Sequence, residues 1–266
     1  MAGRHFTTPA IVLRRYAFGE SDRLVVLLTP GHGLVRALAK GQRRSFKRFG
    51  GILDLLYFLE ADLTARKSEI QLLDAVRLAD AYRPLSEDLM LYAAGCHLAE
   101  VAAAFASEMH ADEQAFAALT GGLAELCRGT DPNRVGRVVE LHTLRAAGLA
   151  PRLDTCGVTG RRLGESETVA FEPHHGGAVT AEKASLSSIR LSARARRTLQ
   201  AILAADFAAA LSLEWERADA LAARTALAQM IAYHSGRVLK VRQFAEAAAR
   251  FSRRHRRGAT APVEVC

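Results

Sequence analysis

The stretch that decides the fold of the N-terminal part is residues 22–40, DRLVVLLTPGHGLVRALAK. Leucine, valine and alanine fill both halves, and Pro30-Gly31-His32-Gly33 between them is a strong tight-turn signal. We therefore predict a β-hairpin with strands over residues 22–29 and 34–40.

Further strands are predicted on both sides of this hairpin. Ile11-Val12-Leu13 opens the first strand, and residues 52–63 and 69–78 form the fourth and fifth. Five short strands without an intervening helix predict an OB-fold, a closed Greek-key barrel of the oligonucleotide-binding type, over residues 1–82. Period-two alternation places two sets of residues inward. They are Leu53, Leu55, Tyr57, Leu59, Ala61 and Leu63 in the fourth strand, and Ile70, Leu72, Val76 and Leu78 in the fifth.

A strongly basic segment follows the third strand: residues 40–51, KGQRRSFKRFGG, contain five cations and no acid. Positive charge next to glycines and aromatics is typical of a surface that binds a phosphate backbone. Phe46 or Phe49 could stack on bases, or either could be buried. The alternative interpretation is a solvated loop that is basic only because the whole chain is basic.

A barrel of this type holds its ligand across strands two and three, helped by neighbouring loops. The predicted nucleic-acid-binding residues are therefore the cations of these segments: Arg14, Arg23, Arg36, Lys40, Arg43, Arg44, Lys47, Arg48, Arg66 and Lys67. The alternative is a scaffold barrel whose cations are scattered around its surface.

Beyond Pro84 the sequence changes to alanine, leucine and glutamate at helical spacing. We predict helices from Ser86 to about residue 109 and over 112–128, 132–148, 193–210, 217–235 and 241–250. The chain is thus of the α+β class, with a helical domain over 83–250 and a basic flexible tail over 251–266. The tail either contacts DNA or only aids solubility.

A cluster of arginines lies at the N-terminus of one predicted helix, where positive charge is unfavourable. The cluster therefore predicts an anionic partner. Its members are Arg190, Arg194, Arg196 and Arg197.

Residues 150–192 interrupt the helical pattern and look like a zinc knuckle that has lost its thiols. Only Cys156 is a thiol, while Thr159, Thr180 and Lys183 stand where a four-cysteine site would have its other ligands. His174 and His175 lie nearby, but adjacent histidines rarely serve one structural site. We expect a degenerate knuckle that holds together by packing, with no zinc and no other cofactor.

Composition narrows the function classes. The 266 residues carry a net charge of +8 and are 50% hydrophobic, which is typical of a globular protein with a phosphate-rich partner. No long apolar run and no signal-peptide core are present, so no membrane partner is expected. The four cysteines are far apart in the sequence, which favours a reducing compartment. We expect a cytoplasmic, nucleoid-associated protein.

From about residue 8 to residue 248 the sequence resembles the RecO family of bacterial recombination mediators. The resemblance is carried by short motifs in a specific order: 11–15 (IVLRR), 19–24 (GESDRL), 29–33 (TPGHG), 37–41 (ALAKG), 148–151 (GLAP), 153–156 (LDTC), the pair Gly176-Gly177 and 234–240 (HSGRVLK). The departure from the family is the loss of the zinc-binding thiols.

The resemblance implies an accessory protein that is not an enzyme. It implies binding to single- and double-stranded DNA, annealing of complementary strands, and contact with the acidic C-terminal tail of the single-stranded-DNA-binding protein. With RecR, such a protein helps to load RecA onto coated strands in gap repair. For the partner tail we expect a cationic rim on the helix over 132–148, with Arg134, Arg137 and Arg145.

Two other classes compete with this reading. His97, His142, Glu100 and Glu140 could supply acid–base groups, but the sequence contains no P-loop, nucleophile elbow or His-Glu-x-x-His motif, so no catalysis is expected. The alternative is a non-catalytic adaptor that binds RecR and has little DNA affinity of its own.

Overall fold

The structure, a computed structural model, describes residues 4–42, residue 49 and residues 51–239. Several predictions concern residues outside this part of the chain. They are the four cations Arg43, Arg44, Lys47 and Arg48, the helix over 241–250 and the tail over 251–266.

The N-terminal part is a closed five-stranded barrel in the order β1-β2-β3-β5-β4. Its strands are β1 (His5–Phe18), β2 (Asp22–Thr29), β3 (Gly33–Ala39), β4 (Phe58–Thr64) and β5 (Ile70–Asp80). Neighbours are antiparallel except β3 and β5, which run parallel, and β4 closes the barrel by pairing with the first half of β1. The predicted OB-type barrel and its central hairpin are confirmed.

The alternation predicted for β4 and β5 is partly wrong. β4 begins at Phe58, because Leu56 adopts a left-handed backbone with φ 68° and residues 53–57 form a loop. In the pairing of β4 with β5, Asp62 lies opposite Ala75, but the next residue of β4, Leu63, lies opposite Leu73. Asp74 is therefore an extra residue in β5. Because of this bulge at Asp74, the buried side chains of β5 are those of Gln71, Leu73 and Val76. Ile70, Leu72 and Leu78 are not buried, so only Val76 of the four inward predictions is right.

The described residues after the barrel contain seven α-helices. They are α1 (Arg83–Glu87), α2 (Leu89–Phe105), α3 (Glu113–Cys127), α4 (Pro132–Ala146), α5 (Ala193–Ala204), α6 (Phe207–Ser212) and α7 (Arg217–Ser235). The predicted start at Ser86 is wrong, because the Asp88 carboxylate accepts hydrogen bonds from Met90 N and Leu91 N and so caps α2. The helix predicted over 193–210 is two helices, because Asp206 caps α6 after an extended Ala205.

Helix α4 is the centre of the helical domain, and all its residues from Val135 to Leu144 are buried. Residues 150–192 form a small three-stranded sheet in the order β7-β6-β8, with β6 (Val169–Glu172), β7 (Gly177–Val179) and β8 (Ile189–Leu191). The sheet packs through Phe171 against the core that α4, α5 and α7 share. None of the described helices has the length and hydrophobicity needed to cross a membrane.

The barrel and the helices share a hydrophobic core. Ile11, Leu13 and Leu28 on the outside of the barrel belong to one buried cluster with Leu98 of α2 and Leu123 of α3. The chain after α2 also adds main-chain hydrogen bonds to β3: Leu34 N donates to Ser107 O over 2.9 Å, and Met109 N donates to Leu34 O over 3.1 Å. The helical domain is thus packed against one side of the barrel.

Candidate nucleic-acid interface

The candidate site is the outer side of the first three strands at the end where β1 turns into β2. Val25, Leu27, Val35 and Ala37 point into the barrel and are fully buried. The alternate positions point outward, and the register aligns them in rows across the strands. One row is Arg14, Val26 and Arg36, and the next is Tyr16, Leu24 and Leu38. We call this surface, with Phe18 and Lys40 at its end, the β1–β2–β3 face.

A bulge in β1 puts cations and aromatics on this face. Val12 pairs with the inward Leu27, and after a register shift Arg14 pairs with the outward Val26. Leu13, the extra residue, packs against the helices. Without the shift, simple alternation from Val12 would turn Arg14 and Tyr16 into the barrel. The bulge therefore reverses the alternation and sends Arg14, Tyr16 and Phe18 outward.

The cations on this face are Arg14, Arg36 and Lys40. Arg36 and Lys40 are exposed while Val35, Ala37 and Ala39 are buried, so Arg36 lies on the outer side of β3, and Lys40, directly after the strand, continues this side. Lys40 is four positions after Arg36, which at ~3.3 Å per residue corresponds to ~13 Å. Phosphate groups of a nucleic-acid strand laid across β2 and β3 would pass between these charges.

The aromatic residues of this face are not those expected from the sequence. Phe49 has no exposed surface and belongs to the barrel core, so it cannot stack on a base. Phe46 lies outside the described residues. Tyr16 and Phe18 are instead 48% and 49% exposed, on the same side of β1 as Arg14. The sequence signal for them is an aromatic residue at each of the two alternate positions after Arg14.

Arg36 already has a carboxylate partner. Its Nη2 lies 2.6 Å from Glu108 Oε1, and both side chains are close to half exposed. An exposed ion pair of this kind contributes ~0–1 kcal/mol, because water screens both charges. A phosphate could therefore take the place of Glu108 at little cost.

The other predicted binding residues lie around this face or off it. Arg66 and Lys67 are exposed on the loop before β5, whose first residue, Ile70, pairs with Arg36. They therefore lie at the opposite end of the face from Lys40. Arg23 pairs with Ala39 and shares its side of the sheet, so it does not belong to the outer face.

A cleft continues the face toward the helices. Arg14 and Tyr16 line a cavity of about 350 Å³ together with Cys96 of α2. Arg237 and Val238, which follow α7, line its other side. Arg237 is thus a further cation near the face, and it is not among the binding residues predicted from the sequence.

Of the arginines predicted to form a cationic rim on α4, Arg137 is buried, Arg134 is half-buried and Arg145 is exposed. Arg137 is buried and its Nε donates to Glu140 Oε2 over 2.7 Å, while His97 Nε2 lies 2.7 Å from Glu140 Oε1. Burial alone would raise the pKa of Glu140, but the Arg137 charge and the hydrogen bonds from His97 and Arg137 lower that pKa to about 2. Arg134 and Arg145 donate to backbone carbonyls of Leu211 and Leu203. Arg137 therefore cannot contribute to the expected rim, whereas a contribution of Arg134 and Arg145 stays a prediction.

The arginine cluster at the start of α5 also finds internal partners. Arg194 contacts Asp219 and Glu216. Arg196 is 2% exposed and donates to Leu153 O over 2.9 Å, and Arg197 donates to Glu165 O over 2.8 Å. Carboxylates and carbonyls of the chain itself thus contact Arg194, Arg196 and Arg197, whereas Arg190 is exposed, and an external anion at this helix stays a prediction.

Three of the four candidate acid–base groups, His97, Glu140 and His142, have contacts within the helical domain, whereas Glu100 lines the cleft with Arg14 and Arg237. His97 and Glu140 belong to the same buried network with Arg137. His142 is 6% exposed and its Nε2 lies 3.3 Å from Ile202 O, and burial lowers its pKa.

The degenerate knuckle does not fit a four-thiol zinc site. Cys156 is buried, and its Sγ accepts a hydrogen bond from Thr180 N at 3.5 Å and contacts the Thr180 hydroxyl at 3.9 Å. Burial raises the pKa of Cys156, but hydrogen bonds from Thr159 and Thr180 outweigh it and lower the pKa to about 6. Hydroxyls thus stand beside the thiol where zinc would need further sulfur ligands.

Comparison with known proteins assigns the whole described chain to one family. The family profile "Recombination protein O N terminal" matches residues 1–82, and "Recombination protein O C terminal" matches residues 86–243. A DNA repair protein RecO of Anaeromyxobacter sp. (strain K) is 35% identical over 237 residues, covering 88% of this chain and 93% of that protein. The DNA repair protein RecO of Nocardioides sp. (strain ATCC BAA-499 / JS614) is 33% identical and covers 89% and 97%. That of Thermobifida fusca (strain YX) is 36% identical and covers 80% and 84%.

Proposed function

Because the chain belongs to the RecO family, we propose that it is a DNA-binding recombination mediator that acts in DNA repair. It binds single- and double-stranded DNA, anneals complementary strands and, with RecR, helps to load RecA onto DNA coated by the single-stranded-DNA-binding protein. It catalyses no reaction, needs no zinc at the degenerate knuckle, and works in the cytoplasm at the nucleoid, where its DNA ligand lies.

The observation that carries this proposal is the β1–β2–β3 face. Arg14, Arg36 and Lys40 can neutralise phosphates, and each neutralised phosphate releases counterions. Tyr16 and Phe18 offer exposed rings on which unpaired bases of any sequence can stack. Cations and aromatics together on an OB-type face support binding of single strands without sequence preference.

Annealing requires that two phosphate backbones approach each other, and their repulsion must be neutralised. Two groups of cations could supply this. The basic segment 40–51 follows β3 in the sequence, and Arg66 and Lys67 lie on the loop before β5, at the end of the face away from Lys40. We propose that one strand occupies the face while these flanking cations hold the second.

For the tail of the single-stranded-DNA-binding protein, most of α4 is unsuitable because its residues from Val135 to Leu144 are buried. The cleft between barrel and helices is lined by two cations, Arg14 and Arg237, by one acid, Glu100, and by apolar side chains that include those of Leu13, Leu55 and Val238. This combination suits an acidic peptide that ends in apolar side chains, and we propose it as the docking position of that tail.

The test is annealing of complementary strands coated with the cognate single-stranded-DNA-binding protein. We expect the wild-type protein to accelerate annealing, and the variant Arg43→Ala/Arg44→Ala/Lys47→Ala/Arg48→Ala to lose most of the acceleration while it stays folded. The control variant Arg162→Ala/Arg190→Ala/Arg217→Ala removes three exposed cations of the helical domain and should anneal as the wild type does.

DNA affinity measured against salt decides between the mediator and the adaptor. A steep fall in affinity with rising salt supports phosphate contacts. A flat dependence, together with RecR binding, would instead support an adaptor that contacts DNA little, and would overturn the proposal.

A further inference from the structure

Three side chains with metal-binding atoms converge at the end of β6, on the small sheet. They are Glu172, His174 and His175, and their ligand atoms all lie within 4.8 Å of one another. Glu172 Oε2 is 3.3 Å from His174 Nε2 and 3.7 Å from His175 Nε2. Both imidazoles thus turn the same ring nitrogen toward one carboxylate oxygen.

The carboxylate at the centre of this cluster is fixed. The Glu172 side chain is 4% exposed, and its Oε1 accepts a hydrogen bond from Ser185 N over 2.6 Å and another from the Ser188 hydroxyl. Because Oε1 is engaged on the protein side, Oε2 is the oxygen that faces the histidines. The carboxylate is therefore oriented before any ligand arrives.

The turn that carries the two histidines is fixed as well. His174 and His175 lie in a short 3₁₀ turn over Pro173–His175, which ends at Gly176 with φ 75°. Arg152 N donates to Gly176 O over 2.9 Å. On the other side Gly157 packs so closely that a Cβ there would lie 2.3 Å from His175 O. Arg152 and Gly157 therefore both contact the backbone of this turn and restrict its movement.

We propose that Glu172, His174 and His175 form a binding site for a divalent transition-metal ion of the zinc class. Zinc binds imidazole nitrogens and carboxylate oxygens at ~2.0–2.2 Å in a tetrahedral arrangement, in which neighbouring donors are ~3.3 Å apart. The two observed nitrogen–oxygen distances need little adjustment to reach this value. Two imidazoles and one carboxylate select such ions over Mg²⁺ and Ca²⁺, which prefer oxygen ligands.

The site is open on its outer side. The side chains of His174 and His175 are 51% and 35% exposed, so an ion can enter from solvent and keep a water molecule as its fourth ligand. The site uses none of the degenerate knuckle positions. Adjacent histidines rarely serve one structural site, but here the 3₁₀ turn brings the Nε2 atoms of both imidazoles close to Glu172 Oε2.

The experiment uses the full-length protein, stripped of metal with a chelator and titrated with Zn²⁺ against a chromophoric competitor. We expect about one equivalent to bind. His174→Ala and His175→Ala should each weaken binding by at least ~10-fold. His110→Ala, which removes an exposed histidine of the loop after α2, and Cys156→Ser should bind as the wild type does. His174→Gln and His175→Gln provide a second pair of variants that keep side-chain volume.

Two further readouts separate this site from its rivals. X-ray absorption of the zinc-loaded protein should show nitrogen and oxygen ligands without sulfur, and Zn²⁺ should raise the melting temperature of the wild type but not of the histidine variants. Loss of binding in Cys156→Ser, or a sulfur ligand, would show that the thiol binds the ion and would overturn the proposal. If the wild type binds no zinc, or if it binds zinc no more tightly than the histidine variants do, the histidines only neutralise the buried Glu172. Either result would also overturn the proposal.

Discussion

The barrel and the helical domain both contain many arginines but use them differently. On the β1–β2–β3 face, Arg14 has no salt-bridge partner among the described residues, and Arg36 has only the exposed Glu108. In the helical domain, Arg137 and Arg196 are buried and bind a carboxylate or backbone carbonyls. The charges of Arg14 and Arg36 on this face are therefore accessible to a ligand, whereas much of the positive charge of the helices holds the domain together.

The difference follows from where the arginines lie relative to the core. Strand alternation and the bulge in β1 turn Arg14 and Arg36 to the outer side of the barrel, and both stay accessible there. Arg137 lies on α4, which is surrounded by other elements, so its charge must be neutralised within the protein. A count of cations in the sequence therefore does not predict a binding surface. It must also be known whether each cation faces solvent or the core.

The largest expected effect is on the buried network of α4. Glu140→Gln leaves the Arg137 charge buried without its partner and should lower the free energy of unfolding by ~3–5 kcal/mol, as measured by urea denaturation. Glu60→Gln removes an exposed partner of Arg77 and should cost less than ~1 kcal/mol. Equal effects of the two changes would contradict the structural role given to Glu140.

The same network predicts a pH dependence. The pKa of Glu140 lies at about 2 in the folded protein, below its ordinary value of 4.5. The unfolded chain therefore binds the proton more tightly, and this contribution to stability is present above the ordinary pKa and lost as pH falls through the folded pKa. We expect the difference in unfolding free energy between wild type and Glu140→Gln to shrink between these two pH values. A difference that stays constant across this range would contradict the assignment.

The next prediction concerns Arg196, the buried arginine at the start of α5. Arg196→Met leaves the carbonyls of Leu153 and Gly164 without their donor and should lower stability by ~1–3 kcal/mol. DNA affinity at a temperature where the variant is folded should be unchanged. Reduced DNA affinity in the folded variant would place a binding surface on the helical domain and weaken the contrast with the barrel.

On the barrel, Tyr16→Ala and Phe18→Ala test the aromatic part of the face. Each should weaken binding of single-stranded DNA by ~1–3 kcal/mol, because a stacked base loses its platform. Duplex DNA offers no unpaired bases, so its affinity should change little. Tyr233→Ala removes a ring that is 56% exposed on α7 and is the control. If this control weakens binding as much as Tyr16→Ala, the face is not the stacking site.

The smallest effect is expected at the exposed ion pair of the face. Glu108→Gln should change stability by less than ~1 kcal/mol and raise DNA affinity slightly, because Arg36 no longer has a competing carboxylate. Fluorescence anisotropy at low salt measures the gain. A fall in affinity would mean that Glu108 positions Arg36 for DNA.

Much of the fold followed from the sequence, because turn and alternation signals are local. The hairpin over 22–40 and the five-stranded barrel were predicted from Pro30-Gly31 and the apolar runs. The bulges at Leu13 and Asp74 were not predicted, because a one-residue register shift depends on the partner strand and leaves no local signal. For the same reason the outward direction of Tyr16 and Phe18 became visible only once the pairing of β1 with β2 was known.

The functional residues likewise divide into those whose position can be predicted from local sequence patterns and those whose position cannot. That Arg36 and Lys40 share a side follows from strand periodicity. Other outcomes depend on contacts between segments that are far apart in the chain, and neither composition nor residue spacing predicts such contacts. Examples are the burial of Phe49 and the internal partners of Arg194 and Arg196.

The central claim is that the β1–β2–β3 face, not the arginines of the helices, binds the phosphate backbone. The most direct measurement is the salt dependence of binding to a single-stranded oligonucleotide. For Arg14→Ala/Arg36→Ala/Lys40→Ala, the plot of log affinity against log salt should be shallower than for the wild type by about 2. The charge-matched Arg162→Ala/Arg190→Ala/Arg217→Ala should keep the wild-type slope. Equal slopes for the barrel variant and the wild type, or a larger change in the helical variant, would contradict the account.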